Sequence, residues 1–476
     1  MNTDAIYARL PIAVQELACT YAGWKRYRAR FTSHFEKTLG AIEALDGAPL
    51  EGLHAYQLRR LANLANRARR HVPHYRAMGL PEFVPTHDEP AKGIAEILGA
   101  FPILEKQAYR DAPESLLAED IPAERRLKGK TSGTTGSALP LWYTSESLAE
   151  EYAAVWRLRR RVGAQLRNPH FTFGGQMVVP LGASKPPYWR TNHYSHQTLF
   201  SLYHMTPANL PAYVGAMHTL PVTYIEGYPS SIHLLARAML EAGRPLEAGR
   251  VKAIFPSSES LLAFHRDDIE EAFATKIYDR YGTSEFAVSM TGCSAGNLHL
   301  DMEFGAVEVE AVEETDDFVR GALLVTGFAN DATPFIRYRI GDVGTRSKHP
   351  CPCGRPGEVF LDVDGRIEDY IVTPDGRWIG RMDHVFKEQL EIAEAQILQE
   401  EASAIEVLIV PRGGFDAAAE ADVMREIRMR LGDEIHVDLK RVGEIPREPN
   451  GKFRAVKSRV GRQPTQASVE MDGREG

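Results

Sequence analysis

The sequence predicts an α/β protein: a large layered N-terminal α/β region with an antiparallel β subdomain, then a small C-terminal α+β domain. Three observations carry this. Residues 7–78 set Leu, Ala, Arg and Tyr at helical spacing. Between 126 and 310, short β-rich runs alternate with helical stretches. From 366 onward the order is strand, helix, strand, helix, strand within about a hundred residues, enough for an independent domain.

In the N-terminal stretch, "GLHAYQLRRLANLANRARRHVPHY" places Leu58, Leu61, Leu64 and Ala65 on one helix face and leaves its arginines for a solvated one. Next, "FTFGGQMVVPL", "VTYIEGYPS", "VKAIFPSSES" and "TKIYDRYG" read as strands ending in Gly, Ser or Pro turns, with helices over 230–242 and 262–273. In such a layered sheet, ligands sit at the strand ends. "AVEVEAVEE" through "GDVGTRS" reads as antiparallel strands. The last unit reads as strand "EDYIVT", helix "VFKEQLEIAEAQILQE", strand "IEVLIVP", helix "DVMREIRMRLG" and strand "IHVDLKRV". The expected domains are a core over 1–364, with a helical arm to about residue 80 and a strand-rich part at about 290–364; a lid over 365–462; and a polar, disordered tail over 463–476. The arm could support a homodimer or pack on its own core. There is no internal repeat.

A net charge of -8 argues against a nucleic-acid binder, which needs a basic face, but leaves room for a local basic pocket for a small phosphorylated ligand. The start, Met1-Asn2-Thr3-Asp4, lacks the basic and apolar run of a secretory signal, and no segment is long and apolar enough to span a bilayer. A cytoplasmic enzyme is the expectation. Of four cysteines, Cys293, Cys351 and Cys353 cluster in sequence beside His299, and in a reducing compartment that grouping reads as metal before disulfide.

The stretch "KGKTSGTTGSALPLWYT" combines Ser132, Gly133, Thr134, Thr135 and Gly136 between two strand-like flanks. Its glycines let the backbone close around a ligand, and its hydroxyls and amides offer donors to phosphate oxygens. The spacing is not that of a P-loop, so a polar hairpin turn and a phosphate loop remain equal readings on these residues alone. Four more segments have the same dual character: "YGTSEF" (281–286), "RYRIGDVG" (337–344) with Asp342 after a glycine turn, "GRIEDY" (365–370), and "REPNGKFR" (447–454) with Lys452 after an Asn-Gly turn.

Together and in this order the motifs resemble the adenylate-forming superfamily of acyl-CoA synthetases, peptide-synthetase adenylation domains and luciferases. More narrowly, the chain looks like the phenylacetate-CoA ligase family and its relatives among coenzyme F390 synthetases and capsule-biosynthesis ligases. The resemblance covers almost the whole chain, through "LPIAVQEL", "HVPHYR", "EGYPSSI", the paired-cysteine insert and the lysine motif. It implies an enzyme that activates a carboxylic acid with ATP as acyl-AMP, releases pyrophosphate, and passes the acyl group to a thiol, CoA being usual. By motif, Ser132 to Gly136 would hold the β- and γ-phosphates, Glu285 the Mg²⁺, and Ser284 the α-phosphate. Ser258, Glu259 and Ser260 would meet adenine, and Tyr281, followed by Gly282 and Thr283, would stack on the base. Asp342 would accept both ribose hydroxyls, Arg366 would lie near ribose and phosphate, and Lys452 would bridge the attacking carboxylate and the α-phosphate. The small C-terminal domain would be mobile, turning on Glu368 to carry Lys452 away after adenylation. Many relatives have Asp at the hinge where this chain has Glu368, and often Lys where it has Ser137. That second departure leaves Lys128 and Lys130 to be read either as a solvated pair or as help with phosphate charge.

Three thiolates and one imidazole, Cys293-x₅-His299 and Cys351-x-Cys353, form a set zinc takes in a closed tetrahedral, structural site. Inserts with cysteines at both places also occur in the resembling family. The alternative is three inert thiols and a surface histidine. Tyr228 in "EGYPSS" sits at a strand end before a helix, and is the candidate wall of an acyl pocket. "PPYWRTNHYSHQTLFS" offers Trp189, His193, Tyr194 and His196 either to that pocket or to a packed surface loop. Two other functions fit the same motifs: an amide ligase with an amine acceptor, and a catalytically silent nucleotide-binding relative.

Overall fold

A computed structural model of the protein describes residues 6–130, 139–180, 182–206, 208–257, 261, 263–366, 371–374, 378–379, 382–386, 391–411, 413, 415–432, 434–446 and 455–460. The chain divides into two units, residues 1–261 with 265–363, and residues 262–264 with 364–476.

The first unit opens with helices α1 (Ile12–Arg30), α2 (Ser33–Glu43), α3 (Leu50–His71) and α4 (Pro90–Gly99). In α3 the predicted face is the buried one, with Leu58, Leu61, Leu64 and Ala65 inside. Gln57, also buried there, donates through Nε2 to the Gly305 carbonyl at 2.7 Å, so its amide is not left without a partner. Strands β1 (Leu127–Lys130) and β2 (Pro140–Tyr143) pair antiparallel, Lys130 opposite Pro140, as the flanks of the hydroxyl-rich loop suggest. The next helix, α5 (Ser145–Arg161), starts in a capping box in which Thr144 and Ser147 satisfy each other's backbone amides.

Residues 170–256 form a five-stranded sheet of β3 (His170–Gly174), β4 (Trp189–Asn192), β5 (Gln197–Ser201), β6 (Tyr224–Gly227) and β7 (Ala253–Pro256), in the order β4-β5-β3-β6-β7. All its pairs are parallel except β4 with β5. Between the parallel strands run α6 (Leu210–Thr219) and α7 (Pro229–Glu241), and α8 (Ala263–Phe273) follows β7. One sheet face packs Phe171, Phe173, Ile225 and Ile254 against these helices, and the other sets Tyr224 and Phe255 against α2 and α5. Near-continuous apolar strands are what burial on both faces requires. "FTFGGQMVVPL" is strand only as far as Gly174, and "TKIYDRYG" contributes just its last three residues to a strand. "PPYWRTNHYSHQTLFS" is not a loop: it is the β4–β5 hairpin, and Trp189 packs on Phe200 and Tyr213 in the core.

The strand-rich part is one seven-stranded sheet of β8 (Arg280–Gly282), β9 (Ser289–Gly292), β10 (Leu298–Leu300), β11 (Gly305–Glu314), β12 (Phe318–Gly327), β13 (Tyr338–Ser347) and β14 (Val359–Arg366). Its order is β11-β12-β13-β14-β10-β9-β8. As expected, β11, β12 and β13 are antiparallel.

The second unit holds the short pair β15 (Ile371–Val372) and β16 (Trp378–Ile379), then β17 (Ile392–Glu401), β18 (Ala404–Pro411), α9 (Ala417–Leu431), β19 (His436–Arg441) and β20 (Val456–Ser458). The four longer-range strands pair as β19-β18-β17-β20. Here one sequence expectation fails. "VFKEQLEIAEAQILQE" is rich in helix formers, yet its second half is the interior strand β17. Helix propensities differ by under about 0.7 kcal/mol per residue. Burying Ile397 against Ile405, Val407 and Ile409 is worth about 1.5–3 kcal/mol per side chain, so tertiary packing wins. Gln399, fully buried in β17, accepts from Val372 N at 2.9 Å and donates to Val372 O at 2.7 Å, so its side chain extends the hydrogen bonding to β15.

Candidate active site and thiol–imidazole centre

Three of the motif segments meet in the first unit. Tyr281 in β8 donates its phenol to Asp342 Oδ2 of β13. In the sheet order β14, β10 and β9 lie between these strands, so the pair forms only because the sheet curls. Asp342 does not follow a turn between elements. It belongs to a bulge inside β13, where Ile340, Gly341 and Asp342 oppose Leu323 alone, between the pairs Ala322–Val343 and Leu324–Arg339. Gly341 takes φ +92, a left-handed conformation that suits glycine, and the bulge re-aims the carboxylate.

Glu285 lies in the turn after β8, with its side chain buried. Phe286, the next residue, holds φ +54, and its N–H closes the turn on the Thr283 carbonyl at 3.1 Å. Two anchors fix this backbone: Tyr143 donates its phenol to Ser284 O at 2.5 Å, and Asn330 Nδ2 donates to Glu285 O at 3.2 Å. Gly327 lets β12 pass close beneath, since a Cβ there would stand 2.5 Å from Ala287 Cα and 2.6 Å from Phe286 O. Sequence reasoning missed the surroundings of Glu285. Burial, and after it the charge of Glu285, pushes the phenols of Tyr109, Tyr143 and Tyr338 up, which keeps all three neutral near the carboxylate, Tyr109 donating to Pro140 O at 2.5 Å and Tyr143 to Ser284 O. Their spacing along the chain carries no signal of this. A single buried carboxylate of this kind suits a hard divalent cation that takes its other ligands from phosphate and water.

Tyr228 caps α7 at the end of β6, half-buried, with its N–H on Phe173 O at 2.9 Å. Gly227 before it has φ +145, and any Cβ there would meet Phe173 O at 2.1 Å. The strand order runs β5-β3-β6, so the chain leaves β3 toward both sides and Tyr228 stands at the carboxyl edge next to that switch point. Thr283 and Ser284 lie in the turn before Glu285, and Gly282 ends β8. The backbone of Arg366 ends β14. Ser132, Gly133, Thr134, Thr135, Gly136, Ser258, Glu259, Ser260, Glu368 and Lys452 lie outside the described residues.

The cysteines and histidine predicted to share an ion do converge. One ligand atom each from Cys293, His299, Cys351 and Cys353 all lie within 4.8 Å of one another. Cys293 Sγ is 3.6 Å from Cys351 Sγ, and Cys353 Sγ is 3.3 Å from His299 Nε2. A zinc–sulfur bond of about 2.3 Å at tetrahedral angles sets two sulfurs about 3.8 Å apart, so the spacing fits such an ion. Cys293 and His299 come from the β9–β10 hairpin, Cys351 and Cys353 from the β13–β14 connection. His299 is fully buried, not a surface residue, and burial followed by the nearby Arg355 charge lowers its pKa to about 4. It therefore offers a neutral imidazole, the form that binds metal.

The fold is that of the adenylate-forming ligases: 2-hydroxyisobutyryl-CoA ligase, solved in the postadenylation state in complex with R3-HIB-AMP, superposes with a TM-score of 0.64 at 19% identity, covering 87% of this chain and 91% of that one. The homologues include Protein CapK of Staphylococcus aureus, 24% identical over 94% of this chain and 98% of that protein. A phenylacetate-coenzyme A ligase of Thermus thermophilus is 23% identical over 87% of this chain and 98% of its own length. Residues 371–459 match the CapK C-terminal domain. Among the described residues, no helix is long and apolar enough to cross a membrane.

Proposed function

We propose that the protein is an ATP-dependent carboxylate ligase of the cytoplasm that forms acyl-AMP and transfers the acyl group to a thiol, CoA. The observation that carries this reading is the Tyr281–Asp342 pair beside buried Glu285, which joins residues 61 positions apart into one polar site on the adenylate-forming fold. In the first step a carboxylate oxygen of the acid attacks the α-phosphorus of ATP, and the bond to the β-phosphate breaks with loss of pyrophosphate. In the second, a thiolate attacks the acyl carbon and AMP leaves. Asp342 accepts the ribose hydroxyls and Tyr281 stacks on adenine beside Ser258, Glu259 and Ser260. Glu285 would hold Mg²⁺, with Ser284 on the α-phosphate, Ser132 to Gly136 on the β- and γ-phosphates, and Arg366 near the ribose. Lys452 brings a point charge to the reacting carboxylate, and the lid over 365–462 turns on Glu368 to withdraw it. Tyr228 walls the acyl pocket. Cys293, His299, Cys351 and Cys353 would hold a structural Zn²⁺ that ties the β9–β10 hairpin to the β13–β14 connection.

CoA as acceptor is supported by the names of the phenylacetate and 2-hydroxyisobutyryl relatives. The test is acid-dependent AMP release, measured by chromatography with a panel of acids and either CoA or amines, in the wild type and in Asp342→Asn. Thioester formed with CoA and lost in the variant supports the reading. Turnover with an amine and no need of CoA replaces it with amide ligation. Binding of ATP with no AMP from any acid, in a protein that folds, points to a silent relative.

A further inference from the structure

Asp301 lies two residues beyond His299, and its buried carboxylate accepts three donors: Ser289 Oγ at 2.7 Å, Thr291 Oγ1 at 2.9 Å and Arg355 Nη2 at 3.3 Å. Arg355 belongs to the thiol–imidazole centre's own loop. Its backbone N–H donates to Cys353 Sγ at 3.4 Å, and its guanidinium also donates to Thr291 Oγ1 at 3.0 Å. On the other side, Ser289 Oγ accepts from Arg280 Nε at 3.2 Å and Nη2 at 3.1 Å. Arg280 closes a two-pronged pair with Glu151 of α5 at 2.8 and 2.9 Å, and it immediately precedes Tyr281 on β8. An unbroken polar path thus runs from Cys353 to the start of the Tyr281–Glu285 segment. Ser289 and Thr291 are fully buried, so water cannot take the place of a broken link.

We propose that this path couples the thiol–imidazole centre to the nucleotide segment, with Asp301 and Ser289 as positioning residues, so that occupancy of the centre sets the affinity for ATP. The inference rests on the nucleotide role given above to Tyr281 and Asp342. A serine hydroxyl has one proton, and Ser289 spends it on Asp301, which leaves its lone pairs facing Arg280. An ion held by Cys353 would keep Arg355 against Asp301. Loss of the ion would free that loop and withdraw Arg355 from the buried carboxylate, leaving Arg157 as the cation near it, so that Ser289 and then Arg280 would shift with Asp301 and move Tyr281 from its place opposite Asp342. Coupling is reciprocal, so bound nucleotide must also retain the ion.

The test measures binding of α,β-methylene-ATP with Mg²⁺ by calorimetry to zinc-loaded and zinc-stripped protein, in the wild type, Ser289→Ala and Asp301→Asn, with melting curves to verify folding. Zinc loss to a chelator is timed with and without the nucleotide. The expected result is roughly tenfold tighter nucleotide binding by the loaded wild type than by the stripped one. Ser289→Ala should retain zinc, bind nucleotide like the stripped wild type, and show no protection of zinc by nucleotide. Equal affinity in loaded and stripped wild type overturns the inference and leaves the ligase reading standing. If the stripped protein melts below the assay temperature, the loaded proteins decide: wild-type affinity in Ser289→Ala, or in a folded Asp301→Asn, overturns the coupling. No nucleotide binding by any form overturns the ligase reading and the inference with it.

Discussion

Gly327→Ala tests whether the Glu285 turn is held by close backbone packing. Gly327 ends β12 and donates its N–H to Phe335 O at 3.1 Å, so it is fixed from one side. The added methyl would stand 2.5 Å from Ala287 Cα, 2.6 Å from Phe286 O and 3.1 Å from Ala287 C. Ordinary carbon–carbon contact needs about 3.5–4.0 Å, so the two backbones must part by roughly 1 Å. Overpacking costs about 1–3 kcal/mol, and the upper part of that range applies because backbone atoms, unlike a side-chain tip, cannot rotate away. The turn that yields is the one carrying Glu285, so the loss of stability comes with weaker Mg·ATP binding. Urea unfolding and nucleotide calorimetry on the same preparation measure both. A variant as stable as the wild type, with undiminished nucleotide affinity, would refute the packing argument.

Gly40→Ala should have the opposite sign: Gly40 lies exposed inside α2, a Cβ there meets nothing within 4 Å, and the helix gains about 0.5–1 kcal/mol, read as a higher melting temperature. Glu226 is half-buried near the end of β6, accepting from Arg159 Nη2 at 2.5 Å and from Thr172 Oγ1 at 3.0 Å. Burial pushes its carboxyl up, but Arg159 and then His170 reverse this and hold it below its ordinary 4.5. Its stabilising effect is therefore present above that value and lost as the pH falls through the lower folded value, which acid unfolding should reveal as a transition that Glu226→Gln shifts. The same variant leaves half-buried Arg159 without its counter-charge and should cost about 1.5–3 kcal/mol at neutral pH in urea unfolding. Metal analysis should find zinc bound, and Cys351→Ala should both lose it and melt earlier.

Much of this architecture is legible in the sequence because it follows from local pattern. The α3 face, the β1–β2 hairpin around the hydroxyl-rich loop and the alternation of strands and helices each follow from periodicity and turn residues within a short window. The convergence of Cys293, His299, Cys351 and Cys353 was readable too, because thiols are few and their chemistry narrow. What failed depended on distant partners. β17 carries helix-forming residues and becomes a strand because β18 and β20 lie on either side of it. The bulge that aims Asp342 looks in sequence like an ordinary glycine turn, since nothing local says that Leu323 faces three residues. Asp301 and Arg355 escaped notice, although a charged residue directly after the apolar strand "LHL", and another two places past Cys353, were signals that buried charge needs partners.

Carboxylate-dependent exchange of radiolabelled pyrophosphate into ATP reports adenylation itself, measured over aryl, aliphatic and sugar acids with Mg²⁺ in the wild type, Lys452→Ala and Asp342→Asn. Exchange is expected with one class of acid, abolished in Lys452→Ala and reduced by weaker ATP binding in Asp342→Asn. Exchange that survives unchanged in both variants, or ATP binding without exchange for any acid in the panel, would contradict the ligase reading.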